Sequence, residues 1–348
     1  MYIAMNDIFY IAAWSKGDLR GGIHALSLKG NSLQNVGFSP LQMAGYIAFS
    51  ADGKRLYATG AVNGEEGVAA YAVNEDKTLA FLNFVPSKGI STCHVCTAPG
   101  GKFLYTANYS SSSFSEFVLN EDGSIKELTQ CICHTGSGPV TARQECAHPH
   151  YVSVTPDGKF LAVTDLGCDK IFCYPFDSEK GIDAAHPAVS PMPAGCGPRH
   201  IHFAQENIAY LLTELGNTVL SMTYENGSFK IINELSLLPE GCNCETKASA
   251  IRMSADGRFL VATNRGFDSL VVIEADGKGG MKQVQTTLSG AVSPRDVNFL
   301  PDGRHFAAGN EFSDVIYFFD FDPEKGTLTP NGLKLEYPRP ICIAWSGK

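Results

Sequence analysis

The 348-residue chain has no apolar run approaching the length of a membrane span, and Met1 to Trp14 carries neither a basic leader nor a small-residue cleavage site. These absences predict a soluble, cytoplasmic protein. Positive charge is also scarce, with 27 Lys and Arg against 36 Asp and Glu and a net charge of −9. That balance argues against nucleic acid or an anionic membrane surface as a partner, although a small cationic pocket can sit inside an acidic whole. The chain contains no Walker loop, dinucleotide fingerprint or Gly-x-Ser-x-Gly elbow, and Gly136-Ser137-Gly138 lacks the elbow's spacing. Cysteine is plentiful: the 11 thiols are an odd number and cannot all pair, so free thiols are expected in a reducing cytoplasm. Cys93-x-x-Cys96, Cys131-x-Cys133 beside His134 and Cys242-x-Cys244 invite a zinc reading. However, residues three apart on a strand point to opposite faces and no second Cys-x-x-Cys pair follows, so neither a metal nor a cofactor is expected.

Turn residues and apolar residues dominate. With 35 Gly, 18 Pro and 44% hydrophobic residues, the composition fits many short elements around a full core, which favours an all-β architecture. The clearest unit is Tyr151 to Thr155, the turn Pro156-Asp157-Gly158, and Lys159 to Thr164. It reads as a hairpin because glycine takes the positive φ that such a turn needs.

Related turns recur at Ala51-Asp52-Gly53, Pro99-Gly100-Gly101, Ala255-Asp256-Gly257 and Pro301-Asp302-Gly303, with a degenerate copy at Gln205-Glu206-Asn207. Intervals of roughly fifty residues, each holding four strands, are the signature of a β-propeller. Six copies are explicit, and the seventh is split: Tyr337 to Gly347 matches a first strand and turn, while Asp7 to Ala13 matches a second strand. The expectation is one seven-bladed propeller domain over 1–348, four antiparallel strands per blade, with the C-terminal inner strand joining the N-terminal blade. Gln130 to Cys146 and Asp183 to Cys196 read as extended connections of the kind that serve a site.

Counting eight residues back from each turn glycine gives one position per blade: Gly45, Cys93, His150, Arg199, Ser249, Arg295 and Arg339. Proline precedes four of them, as suits the start of an inner strand. Counting seven forward gives Gly60, Asn108, Asp165, Glu214, Asn264 and Asn310, followed in two copies by Arg265 and Glu311. Antiparallel pairing brings both sets to one mouth of the channel, a candidate anion site with acid and base groups nearby. Each residue alone also has a structural reading as a turn former or a tie between blades. For Asp169, Asp268 and Asp314, with Thr218 in the fourth copy, that Asx-turn reading is preferred and they are left out of the site.

Arg143-Gln144-Glu145 with His148-Pro149-His150, Gly197-Pro198-Arg199-His200-Ile201, Glu214-Leu215-Gly216-Asn217, Asn264-Arg265-Gly266, Pro294-Arg295-Asp296 and Asn310-Glu311 carry a resemblance over nearly the whole chain. It resembles the lactonase family of seven-bladed propellers, which includes propeller-type 6-phosphogluconolactonases and the carboxy-muconate lactonizing enzyme. The resemblance implies a cytosolic hydrolase of sugar-acid lactones, acting on 6-phosphogluconolactone in the pentose phosphate route. It also implies catalytic groups at His148 or His150, Arg199 and Glu214. Arg143, Gln144, Asn264, Arg265, Arg295, Glu311 and Arg339 are the substrate-binding candidates. A histidine is the natural base for activating water, and arginines can stabilise the oxyanion and clamp an anionic lactone. Which of the two histidines acts stays open, as does the oligomeric state. Gly45 and Gly60 suggest a pocket widened for a larger substrate. The alternatives are a cycloisomerase or lactonase for an unphosphorylated carboxylate, and a non-enzymatic protein-binding propeller.

Overall fold

The computed structural model describes residues 8–16, 20–30, 32–205, 207–242 and 244–346. Its strands form seven antiparallel sheets arranged as the blades of a propeller. Blade 1 takes its inner strand, Pro340–Ala344, from the C-terminal end and its other strands, Ile8–Ala13, Gly22–Lys29 and Ser32–Pro40, from the N-terminal end. The ring therefore closes by pairing the two ends of the chain, Ile11 opposite Ile343 and Ala12 opposite Cys342, as the split repeat predicts. Blades 2 to 7 follow in chain order, with inner strands Ile47–Phe49, Thr92–Thr97, Pro149–Val154, Pro198–Gln205, Lys247–Met253 and Pro294–Phe299.

The core lies between blades. Ile8, Tyr10 and Ala12 pack toward blade 2, while Phe9 and Ile11, pointing the other way, pack toward blade 7. A central strand is thus buried on both faces, which is why the second strands read as unbroken apolar runs rather than alternating ones. Apolar clusters of this kind fill every blade-to-blade interface, and Tyr10, Tyr57, Tyr105 and Tyr210 are among the largest buried side chains. The turn glycines Gly53, Gly158, Gly257 and Gly303 take φ between 67° and 73°, and the preceding aspartate accepts backbone N–H groups, as Asp157 does from Lys159.

The two long connections differ from the expectation. Gln130 to Cys133 belongs to the outer strand Ile125–Cys133 of blade 3, so only the segment after it is loop. Within Asp183 to Cys196, Ala188–Pro191 pairs with Lys170–Asp177 and supplies blade 4 with an outer strand. Asp169, Asp268 and Asp314 adopt left-handed conformations with φ of 52° to 54°. Their carboxylates accept the N–H groups of Gly197, Ser293 and Arg339, fixing the segment that leads into the next blade. In blade 5 the matching left-handed residue is Asn217, with φ 53°, rather than Thr218.

Candidate active site

A backbone irregularity repeated around the ring builds the site. In six of the seven inner strands the pairing slips at the start: at Cys93, His150, Arg199, Arg295, at Ser249 with Ala250, and at Ile341 opposite the Ala12–Ala13 step. Ile47–Phe49 of blade 2 pairs without a slip, and Gly45 lies just before it. An extra unpaired residue bends the strand and re-aims its side chain. Here the bulged side chains turn into the channel, and Gly45, Cys93, His150, Arg199, Arg295 and Ile341 line a cavity of about 260 Å³.

The bulges correct the predicted ring in one blade and split the histidine pair. In blade 1 the ring residue is Ile341, not Arg339: both follow a proline, and the register selects Pro340-Ile341. His148 and His150 do not share a face, because the bulge at His150 breaks the alternation. His150 lines the cavity. His148 is buried outside the cavity lining, stacked on Tyr109 with ring centroids 4.2 Å apart, and its Nδ1 donates to the Tyr109 carbonyl at 2.9 Å.

Register also separates two sets of residues at the strand exits. Asn108, Asp165, Thr213, Asn264 and Asn310 are equivalent, each pairing with the first residue of the following strand. All are fully buried and spent on structure. Asn264 donates to Asn217 Oδ1 at 2.7 Å and accepts from Phe267 N, and Asp165 ties His134, His148 N and Gly167 N together. Asn264 is therefore not a cavity residue. Glu214 lies one position further on, in line with Tyr109, Arg265 and Glu311, because the first hairpin of blade 5 is one residue shorter than its counterparts. Gln144 is likewise spent on structure, donating to the Leu166 carbonyl and Asp169 Oδ1 at 2.8 Å each, which holds down the loop that delivers Arg143.

Glu214 is the electrostatic centre. Its Oε1 accepts from Arg143 at 2.6 Å, and its Oε2 accepts from Arg199 Nε at 2.8 Å and lies 3.0 Å from Arg265. Burial alone would raise its pKa, but Arg265, Arg199 and Arg143 hold the carboxyl far below the usual range, so it is permanently ionised. Glu311 plays the same part behind the cavity, paired with Arg295 and Arg339, and both arginines lie over the Trp14 ring. Five arginines thus share two carboxylates. The excess shows in the cations themselves: burial first, then Arg265 and Arg295, push Arg199 down to about 10 against the pull of Glu214. Arg265 is lowered for the same reasons.

Burial and Arg199 hold the His150 imidazolium well below its ordinary 6.5, so His150 is neutral at neutral pH. Its Nδ1 and Arg265 Nε are buried with no hydrogen-bond partner among the described residues, two polar atoms beside a cationic cavity. Cys93 is pushed up to about 12, chiefly by burial, which makes it a packing thiol rather than a nucleophile. The glycines of blade 2 do not widen the cavity in the expected sense. A Cβ on Gly45 would lie 2.5 Å from Thr59 Oγ1 and one on Gly60 2.6 Å from Leu41, so both are demanded by close packing of the wall.

The sequence reading missed Tyr109, Trp14, Glu66 and Ile341 among the lining residues. The signal was present for two of them: Tyr109 follows Asn108 as Arg265 follows Asn264, and Trp14 follows Ala13, the matching end of the second strand in blade 1.

Residues 8–345 match the family described as lactonase, seven-bladed β-propeller. A 6-phosphogluconolactonase of Bacillus subtilis is 33% identical over 347 residues, 97% of each chain. Among solved structures, a periplasmic gluconolactonase of Pseudomonas aeruginosa superposes with a TM-score of 0.91 at 28% identity, covering 97% of this chain and 98% of that one. A putative 6-phosphogluconolactonase of Bacteroides fragilis gives 0.89 at 28% identity, covering 97% of each. The chain belongs to the seven-bladed propeller lactonase family.

Proposed function

We propose that this member of the family hydrolyses a lactone that carries an anionic group, with 6-phosphogluconolactone as the first candidate. The observation that carries the reading is the surplus of arginines over carboxylates around a cavity that also holds a neutral histidine. A phosphate or carboxylate entering there offsets the burial, and the repulsion between neighbouring arginines, that lower Arg199 and Arg265. Forked guanidinium donors suit such a group.

His150, neutral and lining the cavity, takes a proton from water as its oxygen bonds to the lactone carbonyl carbon. Arg199 and Arg265 stabilise the negative charge on the carbonyl oxygen. The ring C–O bond then breaks and the leaving alkoxide recovers the proton from the His150 imidazolium. Glu214, fixed as an anion by three arginines, positions their guanidinium groups and carries no proton.

A second reading is favoured by the opposite wall. Trp14, Met43 and Ile341 give that side an apolar surface, which suits an unphosphorylated carboxylated lactone with an apolar face. The test is hydrolysis of freshly generated 6-phosphogluconolactone, of gluconolactone and of a carboxylated butenolide, each against its uncatalysed background. Acceleration of the phosphorylated lactone above the others supports the first reading, and acceleration of the butenolide alone supports the second. No acceleration of any lactone overturns both.

A further inference from the structure

We propose that Glu145, Cys146 and His148 form a binding site for a borderline divalent cation, Zn²⁺ by chemistry, on the loop between blades 3 and 4. Among the described residues, this is the group whose His, Cys and carboxylate ligand atoms converge within 4.8 Å of one another. The sequence reading expected no metal and looked for one only at the paired cysteines. The present site uses a single cysteine and lies outside those pairs.

The tautomer of His148 carries the argument. Its Nδ1 faces the Tyr109 carbonyl at 2.9 Å, and a carbonyl oxygen only accepts, so Nδ1 bears the hydrogen. In the neutral ring this leaves the Nε2 lone pair free, and Nε2 points at Glu145 Oε1, 3.2 Å away, and Cys146 Sγ, 3.8 Å away. A ring nitrogen, a carboxylate oxygen and a sulfur therefore face a common point; in the metal-free protein the Cys146 thiol hydrogen can bridge to Nε2, and its loss on metal binding leaves both atoms available as ligands. A carbonyl bonded to the far nitrogen is also the usual second partner of a metal-bound histidine.

The spacing fits. Tetrahedral Zn²⁺ with bonds of about 2.0 to 2.3 Å to N, O and S places neighbouring ligand atoms about 3.3 to 3.7 Å apart. The two separations from Nε2, 3.2 and 3.8 Å, straddle that interval, and the three ligand atoms all lie within 4.8 Å of one another, so the site closes by a movement of the exposed Glu145 side chain. The mixed N, S and O donor set favours zinc over calcium or magnesium.

The loop is held on both sides of the ligands. Gln144 is anchored to Leu166 and Asp169, His148 N donates to Asp165 Oδ1 at 2.8 Å, and the His148 ring is clamped against Tyr109. Glu145 is exposed on its outer side, which leaves a fourth position open to water. Binding forms the Zn–S bond as the Cys146 thiol releases its proton to solvent. Because Tyr109 also accepts from Arg143, an occupied site would stiffen the wall that carries this arginine.

The test is calorimetric titration of chelator-treated protein with Zn²⁺, with Ca²⁺ and Mg²⁺ as controls, followed by Co²⁺ titration to read the thiolate-to-cobalt charge-transfer band. One Zn²⁺ per chain, weakened at least about tenfold in both Cys146→Ser and Glu145→Gln with the cobalt band lost in Cys146→Ser, is the expected result. Both variants change partly exposed loop residues, and circular dichroism confirms their fold. Absence of Zn²⁺ binding, or binding unchanged in Cys146→Ser but lost in the double variant Cys242→Ser/Cys244→Ser, overturns the proposal.

Discussion

The two arcs of the channel mouth share one backbone device and differ in what it displays. From blade 4 to blade 7 the bulged positions carry His150, Arg199, Ser249 and Arg295, backed by Glu214 and Arg265. From blade 1 to blade 3 the same positions carry Ile341, Gly45 and Cys93, with Trp14 and Met43 beside them. At Ile341 and Cys93, as at His150, Arg199 and Arg295, the bulge aims a side chain at the axis. The fold supplies the positions, and the residues placed there gather the charged groups on one arc.

The comparison can be broken from the charged side first. In Glu214→Gln, three arginines lose their shared anion, and stability should fall by about 3 to 5 kcal/mol, read by denaturant unfolding and partly restored by inorganic phosphate. An unchanged midpoint would mean the arginines do not depend on Glu214. Arg199→Ala should lower kcat/KM by about a hundred- to a thousandfold with the fold retained. Cys93→Ala on the opposite arc should cost far less, and comparable losses would erase the distinction between the arcs.

The apolar side answers to sterics. Gly45→Ala places a Cβ against Thr59 Oγ1 and should cost about 1 to 3 kcal/mol of stability, measured as a lowered unfolding midpoint. A neutral result would show that the wall of blade 2 can yield.

The smallest expected effect is a displacement along the pH axis. Since burial and Arg199 depress His150, the acid limb of kcat/KM should lie below pH 6.5, with activity kept above that limb and lost as the imidazole protonates. His94 and His200 are depressed too, chiefly by burial. The unfolded chain binds protons near 6.5 that the folded chain refuses, so stability is fully present above that pH and declines as pH falls. A limb at or above 6.5 would show His150 to be solvated like an ordinary histidine.

The propeller was legible because its turns repeat and because strands buried on both faces leave long apolar runs. Closure through the C-terminal strand was legible for the same reason. Registers near irregular turns were not. The shortened hairpin of blade 5 placed Glu214 among the buried ties, and Pro338-Arg339 mimicked the Pro340-Ile341 step that enters the ring. A bulge leaves no trace in an alternation pattern, so spacing could not choose between His148 and His150, and only the register puts His150 in the cavity. Gln144 and Asn264 look like binding residues by type, but their amides satisfy buried backbone and side-chain groups that no count of spacing reveals.

The central claim is that the arginine arc grips the anionic end of a lactone, and Arg295→Gln tests it most directly. This residue lines the cavity without touching Glu214, so its charge can be removed without opening the central cluster. The measurement is the ratio of kcat/KM for 6-phosphogluconolactone over gluconolactone in the native protein and the variant. The account predicts a ratio well above one that collapses toward one in Arg295→Gln, with gluconolactone turnover nearly preserved. An unchanged ratio, or equal loss on both lactones, would contradict it.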